Sequence, residues 1–178
     1  LELLDHFWIN EWYDSRAHEQ RRKREAVQAL TKWFESEGIK ATPAFWVEQD
    51  FSLQIGGYKL HGRIDRADKL ADGSLEIIDY KTGRLKDPKK QQKNNQLALY
   101  ALAAQQAYKQ RVSKMSWYFL DEGVKVSTTR TKEELADYEQ EVLGNIKSIL
   151  ASDFIPTPGF NCRFCDFKNI CVAGQAGG

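Results

Sequence analysis

Two acids and a lysine fall inside GRIDRADKLADGSLEIIDYKTG, residues 62–83, at spacings that suit metal-assisted phosphate chemistry. Side chains alternate along a strand, so Leu75, Ile77, Asp79 and Lys81 are expected on one face. Asp65 lies upstream, across the turn signal Ala71-Asp72-Gly73. A two-residue turn at Asp72-Gly73 would set Asp65 opposite Tyr80 and send the two acids to opposite faces. A three-residue loop with Gly73 left-handed would instead set Asp65 against Asp79 and Arg63 against Lys81. Directly opposed like charges destabilise a strand pair, so something should compensate. A divalent cation does so: Mg²⁺ is commonly held by one or two carboxylates, water and a substrate phosphate. Lys81 could then orient a water or meet charge developing on a phosphate. The Tyr80 carbonyl is a candidate further ligand. The plain alternative is a rim salt bridge, Asp79–Lys81 or Asp65–Arg66.

The elements that must carry these residues follow from patterning. Residues 2–38 read as helix, with apolar positions at Leu4, Phe7, Trp8, Val27, Leu30, Trp33 and Phe34, a break near Asp14-Ser15 and a stop at Gly38. Residues 44–71 alternate around Gly56-Gly57 and give at least two strands, and 74–81 gives another. Good helix formers fill 92–109. Residues 113–120 and 123–129 form a hairpin around Asp121-Glu122-Gly123, and Thr131 with Glu134 makes a capping box for a helix to Leu150. The fold class is α/β, a mixed central sheet flanked by helices.

The chain has 178 residues, 42% hydrophobic and 29% charged, which describes one globular domain over residues 1–178 with a cysteine-rich tail at 160–178. A net charge of +1 argues against a protein that coats polyanions, without excluding a basic groove. Basic runs occur at Arg21-Arg22-Lys23-Arg24 and from Arg84 through Lys86, Lys89 and Lys90 to Lys93. No apolar run approaches the roughly 20 residues of a membrane helix, and no secretory signal is visible, so a cytoplasmic location and no membrane partner are expected. The opening on Leu1 inside a helical pattern reads as a piece of a longer protein.

GRIDRAD followed by EIIDYKTG resembles the core of the PD-(D/E)XK nucleases, in particular the RecB-like branch. Gln96-Leu-Ala-Leu-Tyr100 resembles that branch's Gln-x-x-x-Tyr motif, whose spacing puts both side chains on one helix face. Cys162, Cys165 and Cys171 resemble the C-terminal part of the iron–sulfur motif of helicase-associated and CRISPR-adaptation members. A four-thiolate cluster needs one more cysteine, which the chain lacks. Zinc is the runner-up metal for these thiols. The family's histidine in the first helix has only a weak counterpart in His6; His18 and His61 read as surface residues.

This resemblance implies a restriction-endonuclease-like fold and Mg²⁺- or Mn²⁺-dependent hydrolysis of DNA. It casts Asp65 and Asp79 as metal ligands, joined by the Tyr80 carbonyl and by Glu48 on the first strand. Lys81 would position the attacking water, with Gln96 and Tyr100 touching the substrate or bracing the lysine. Arg63, Arg66, Arg84 and Lys86 are candidates for phosphate contacts. An exonuclease acting on single-stranded or unwound DNA, tied to a helicase in repair or recombination and carrying a 4Fe–4S cluster in its full-length form, is the expectation. The alternatives are a catalytically silent DNA-gripping module and a small cysteine–metal interaction domain.

Overall fold

The computed structural model describes residues 1–38 and 43–175. Tail positions 176–178 lie outside the described residues. The chain divides into two compact units, Leu1–Glu141 and Val142–Gly178.

The first unit opens with α1 (Glu2–Phe7) and α2 (Arg16–Trp33), which runs into a π-turn at Phe34–Gly38. The helix break expected near Asp14-Ser15 is wider, beginning at Trp8. Ser15 restarts the helix as an N-cap, its side chain accepting from the His18 amide at 3.1 Å. Five strands follow in sheet order β1-β2-β3-β4-β5: β1 (Trp46–Ile55), β2 (Tyr58–Lys69), β3 (Leu75–Lys81), β4 (Val112–Phe119) and β5 (Val124–Thr128). Only β3 and β4 pair in parallel, so the sheet is mixed. Between them lie α3 (Pro88–Gln92) and α4 (Gln96–Tyr108), and α5 (Lys132–Leu150) follows the sheet. The Thr131 capping box forms as expected, with reciprocal bonds to Glu134 of 2.7 and 3.2 Å.

Turn chemistry sets both hairpin registers. Gly56 and Gly57 both have positive φ, and Ile55 pairs with Tyr58 across them. At the second hairpin Gly73 has φ 78°, and Lys69 pairs with Leu75 and Arg66 with Ile78, the register of the three-residue loop. Asp72 fastens this turn, its Oδ1 accepting from the Ser74 amide at 3.0 Å and the Ser74 hydroxyl at 2.5 Å.

The helix expected over 92–109 forms as α4 but starts later, at Gln96, and Gln92 instead ends the short α3. Asn94 Oδ1 accepts from the Gln96 amide at 2.8 Å where α4 begins. Leu97, Ala98, Ala101, Leu102, Ala103 and Ala104 are buried, and α4 packs on β1, β3 and β4. Small alanines let the helix lie close to Leu53, Ile64, Ala67, Leu75 and Ile77, which are fully buried. Truncating Leu97 to Ala in such a core costs about 2–5 kcal/mol.

In the second unit a 3₁₀ turn at Phe160–Phe164 precedes α6 (Val172–Gln175). The three cysteines are thiols rather than disulfides, and Cys162 Sγ accepts from the Gly159 amide at 3.4 Å.

Candidate active site

Asp79 leaves the core at the C-terminal end of β3 yet is only 3% exposed. Its Oδ2 lies 2.7 Å from Lys81 Nζ, and its Oδ1 accepts from Gln96 Nε2 at 3.2 Å. Gln96 Oε1 in turn accepts from Lys81 Nζ at 3.0 Å, and Gln96 Nε2 sits 3.5 Å from the Tyr100 hydroxyl. The amide therefore turns its N–H to the carboxylate and its carbonyl to the ammonium. The motif residues from β3 and the first turns of α4 close into one contact set.

Asp65 joins them by a route the alternation pattern misses. The β2–β3 ladder ends at Arg66 and Ile78, and the Asp65 Oδ2 accepts from the Tyr80 amide at 3.0 Å where the next backbone partner would be. Strict alternation has failed there: Ile64 and Ala67, three residues apart, are both fully buried. On the other side, β1 and β2 pair at Val47–Arg66 and again at Gln49–Ile64, skipping Glu48 and Asp65. Glu48 has φ 46°, a left-handed conformation unusual for a side-chain-bearing residue. Both strands thus kink at the level of Asp65, which frees its carboxylate to reach across the end of the ladder.

Electrostatics separates Asp79 from an ordinary rim carboxylate. Burial pushes its pKa above the usual range, Lys81 pulls against this, and the Asp65 charge adds to the rise. Asp79 Oδ2 is buried, and its close partner is the Lys81 ammonium at 2.7 Å. Two neighbouring carboxylates, one of them buried and raised in pKa by burial and by the other's charge, fit a hard divalent cation that takes its other ligands from water and phosphate. Among the described residues no three or more His, Cys, Asp or Glu side chains gather as a ready-made metal cage.

Other expected site residues stand elsewhere. Glu48 is not drawn in with Asp65 and Asp79: its side chain is 72% exposed and lies 3.4 Å from Arg63. Arg63 is also 2.8 Å from Asp50. Arg66 and the Tyr80 ring occupy the reverse face. There they line a polar cavity of about 260 Å³ with Trp33, Asp68, Glu76 and Lys125. Arg66 donates to Asp68 at 2.8 Å. Burial opposes its charge, and the Asp68 carboxylate outweighs that and raises its pKa. Arg66 is thereby committed to a side-chain partner within the fold. His6 stacks edge-on with Phe7, His18 lies 3.2 Å from Asp14, and His61 is exposed on β2. Arg84 and Lys86 line a basic concavity with Lys90 and Lys93.

Some supporting residues carry no obvious motif. Gly62 pairs with Phe51, and a Cβ there would come within 2.5 Å of the Phe51 ring. That ring contacts Tyr100 edge-on at 5.8 Å. Gly62 therefore makes room for the side chain against which Tyr100 rests. Trp117 pairs with Asp79 across β3–β4 and is fully buried, its Nε1 without a hydrogen-bond partner among the described residues.

A family model of the PD-(D/E)XK nuclease superfamily matches residues 1–172. The chain belongs to this superfamily, whose restriction-endonuclease-like fold agrees with the mixed five-stranded sheet and flanking helices. Among solved structures, the crystal structure of SSO0001 is similar at 17% identity, covering 84% of this chain and 67% of that one, with a TM-score of 0.42. No curated protein matches the chain. No helix among the described residues is long and apolar enough to cross a membrane.

Proposed function

We propose that this domain is a divalent-metal-dependent deoxyribonuclease with its reacting centre at Asp65, Asp79 and Lys81. The observation that carries this reading is the closed contact set of Asp79, Lys81 and Gln96, with the Asp79 carboxylate buried and Asp65 held beside it.

Asp65 and Asp79 would hold Mg²⁺ or Mn²⁺. When bound, the metal supplies a nucleophilic water at neutral pH and offsets charge on the phosphate oxygens. Asp79 keeps a near-buried carboxylate ready at the C-terminal end of β3, where it need not be desolvated again. Lys81 keeps its ammonium within reach of a phosphate oxygen or an attacking water, and Gln96 restrains that ammonium from the far side. Tyr100, backed by Phe51, limits where the Gln96 amide can turn. The Tyr80 carbonyl stays a candidate ligand at the end of the β2–β3 ladder. Glu48 would need to leave Arg63 to take part.

The finer reading is an exonuclease on single-stranded or unwound DNA working with a helicase in repair or recombination. Its support is the RecB-like wording of GRIDRAD, DYKTG and Gln-x-x-x-Tyr. Cys162, Cys165 and Cys171 would contribute three thiolates to an iron–sulfur cluster. The three cysteines of this sequence do not by themselves complete a set of four.

Incubating the protein with linear and circular single-stranded DNA in Mg²⁺, and in EDTA, tests the proposal. Degradation of the linear form alone supports an exonuclease, and cutting of both forms an endonuclease. Binding without any metal-dependent cutting would favour the silent DNA-gripping module.

A further inference from the structure

The connection between Lys81 and Gln96 carries Arg84, Lys86, Lys89, Lys90 and Lys93 against one acid, Asp87. That acid is occupied as the N-cap of α3, accepting from the Lys89 and Lys90 amides at 2.9 and 3.3 Å. Among the described residues none of the five cations has a carboxylate within ion-pair distance. Elsewhere among the described residues some cations meet acids, as Arg63, Arg66, Arg111, Lys114 and Lys125 do, and others such as Arg21, Arg24, Lys59 and Lys69 do not. What sets this connection apart is density, five unpaired cations within residues 84–93 around one concavity.

The segment is also fastened. The Leu85 amide donates to Glu122 at 3.1 Å, Gln92 donates to the Ser127 carbonyl at 3.0 Å, and Arg130 donates to the Gln92 carbonyl at 2.8 Å. Between these anchors Arg84, Lys86, Lys90, Lys93 and Asn94 line a concavity of about 560 Å³. Both ends adjoin the reacting centre. Arg84 follows Lys81 by three residues and Lys93 precedes Gln96 by three, so each lies at most about 11 Å of chain away. At about 3.4 Å rise per nucleotide of one strand, that reach corresponds to about three nucleotides.

We propose that this concavity is a phosphate-gripping cradle that holds a DNA strand some nucleotides beyond the scissile bond, with Lys90 and Lys93 as its contacts in addition to Arg84 and Lys86. The inference deepens the nuclease reading and rests on it for the identity of the strand. The cradle makes affinity depend on strand length, because a strand too short to reach it gains nothing there. It also couples grip to chemistry. Asn94, in the cradle wall, accepts from the Gln96 amide at the start of α4, so a strand seated there bears on the residue that restrains Lys81.

The test is binding of oligothymidylates, shorter and longer than this reach, to the full chain in EDTA across a KCl series. Lys90→Gln/Lys93→Gln is predicted to lower the slope of log affinity against log salt by about 1.4, since each single-strand phosphate contact contributes about 0.7. It should also remove most of the gain from the longer strand. Lys90→Arg/Lys93→Arg should restore both, and Arg21→Gln/Arg24→Gln, which removes as much charge from α2, should change neither. An unchanged slope in the first variant overturns the cradle, as does an equal fall in the α2 variant. No cleavage occurs in EDTA, so a protein that binds as predicted but never cuts in Mg²⁺ sinks the nuclease reading separately.

Discussion

At the scale of single residues, Asp79 shows how a site can cost stability. Its carboxylate is buried, and burial together with the Asp65 charge outweighs the pull of Lys81 and raises its pKa. Asp79→Asn is therefore expected to raise the melting temperature of the metal-free protein at neutral pH while abolishing cleavage; a lower melting temperature would show that the Lys81 ion pair dominates. Asp72 is the opposite case. The Ser74 hydroxyl and amide, with Arg111 adding attraction, hold its pKa down from 3.8 to about 2. A depressed carboxylate contributes stability above its ordinary range that is lost as pH falls through the folded value. Asp72→Asn should thus destabilise the protein near neutral pH, and the difference from wild type should shrink between pH 3.8 and about 2, read from denaturant midpoints. Asp65, Asp79 and Lys81 were legible as a set because their residue types and the intervening turn are local. Arg66 was misleading for the same local reason: in GRIDRAD it reads as a free cation beside the acid, whereas it faces Asp68 and the Tyr80 ring on the reverse side.

Among the elements, the hairpin between β2 and β3 decides whether the acids can meet. Its register was readable from Ala71-Asp72-Gly73, because turn length and the left-handed glycine fix which residues pair. The kink at Glu48 and Asp65 was not readable, since it arises from two neighbouring strands that lose alternation together. The late start of α4 at Gln96 was not readable either: the Asn94 side chain accepts from the Gln96 amide there, a bond that composition does not announce. Gly62→Ala is a direct probe of the support beneath Tyr100. The added methyl would sit 2.5 Å from Phe51 Cζ, and overpacking of this kind costs about 1–3 kcal/mol. Activity should fall with it as the Phe51 ring is pushed against Tyr100. Full activity in a destabilised Gly62→Ala protein would detach that brace from the chemistry.

For the molecule as a whole, the sheet is the rigid part and the site lies where its regular pairing stops. Cations without an acid partner crowd together between Lys81 and Gln96, which the net charge of +1 alone conceals. The cysteine tail was visible as a motif, but its spacing could not specify what it binds. Metal should stabilise the fold by mass action, about 2.7 kcal/mol at a hundred times the dissociation constant, or several degrees for a domain of this size. Mg²⁺ is expected to raise the melting temperature of wild type and to leave Asp79→Asn unmoved; an equal rise in both would put the metal elsewhere. Single-turnover cleavage of end-labelled single-stranded DNA in Mg²⁺ by wild type and Lys81→Ala reads whether Asp79 and Lys81 belong to the reacting centre of a nuclease. Removing a group that meets developing charge should slow the chemical step by roughly 100-fold or more. Equal rates from the two proteins would contradict this and move the reacting centre away from β3.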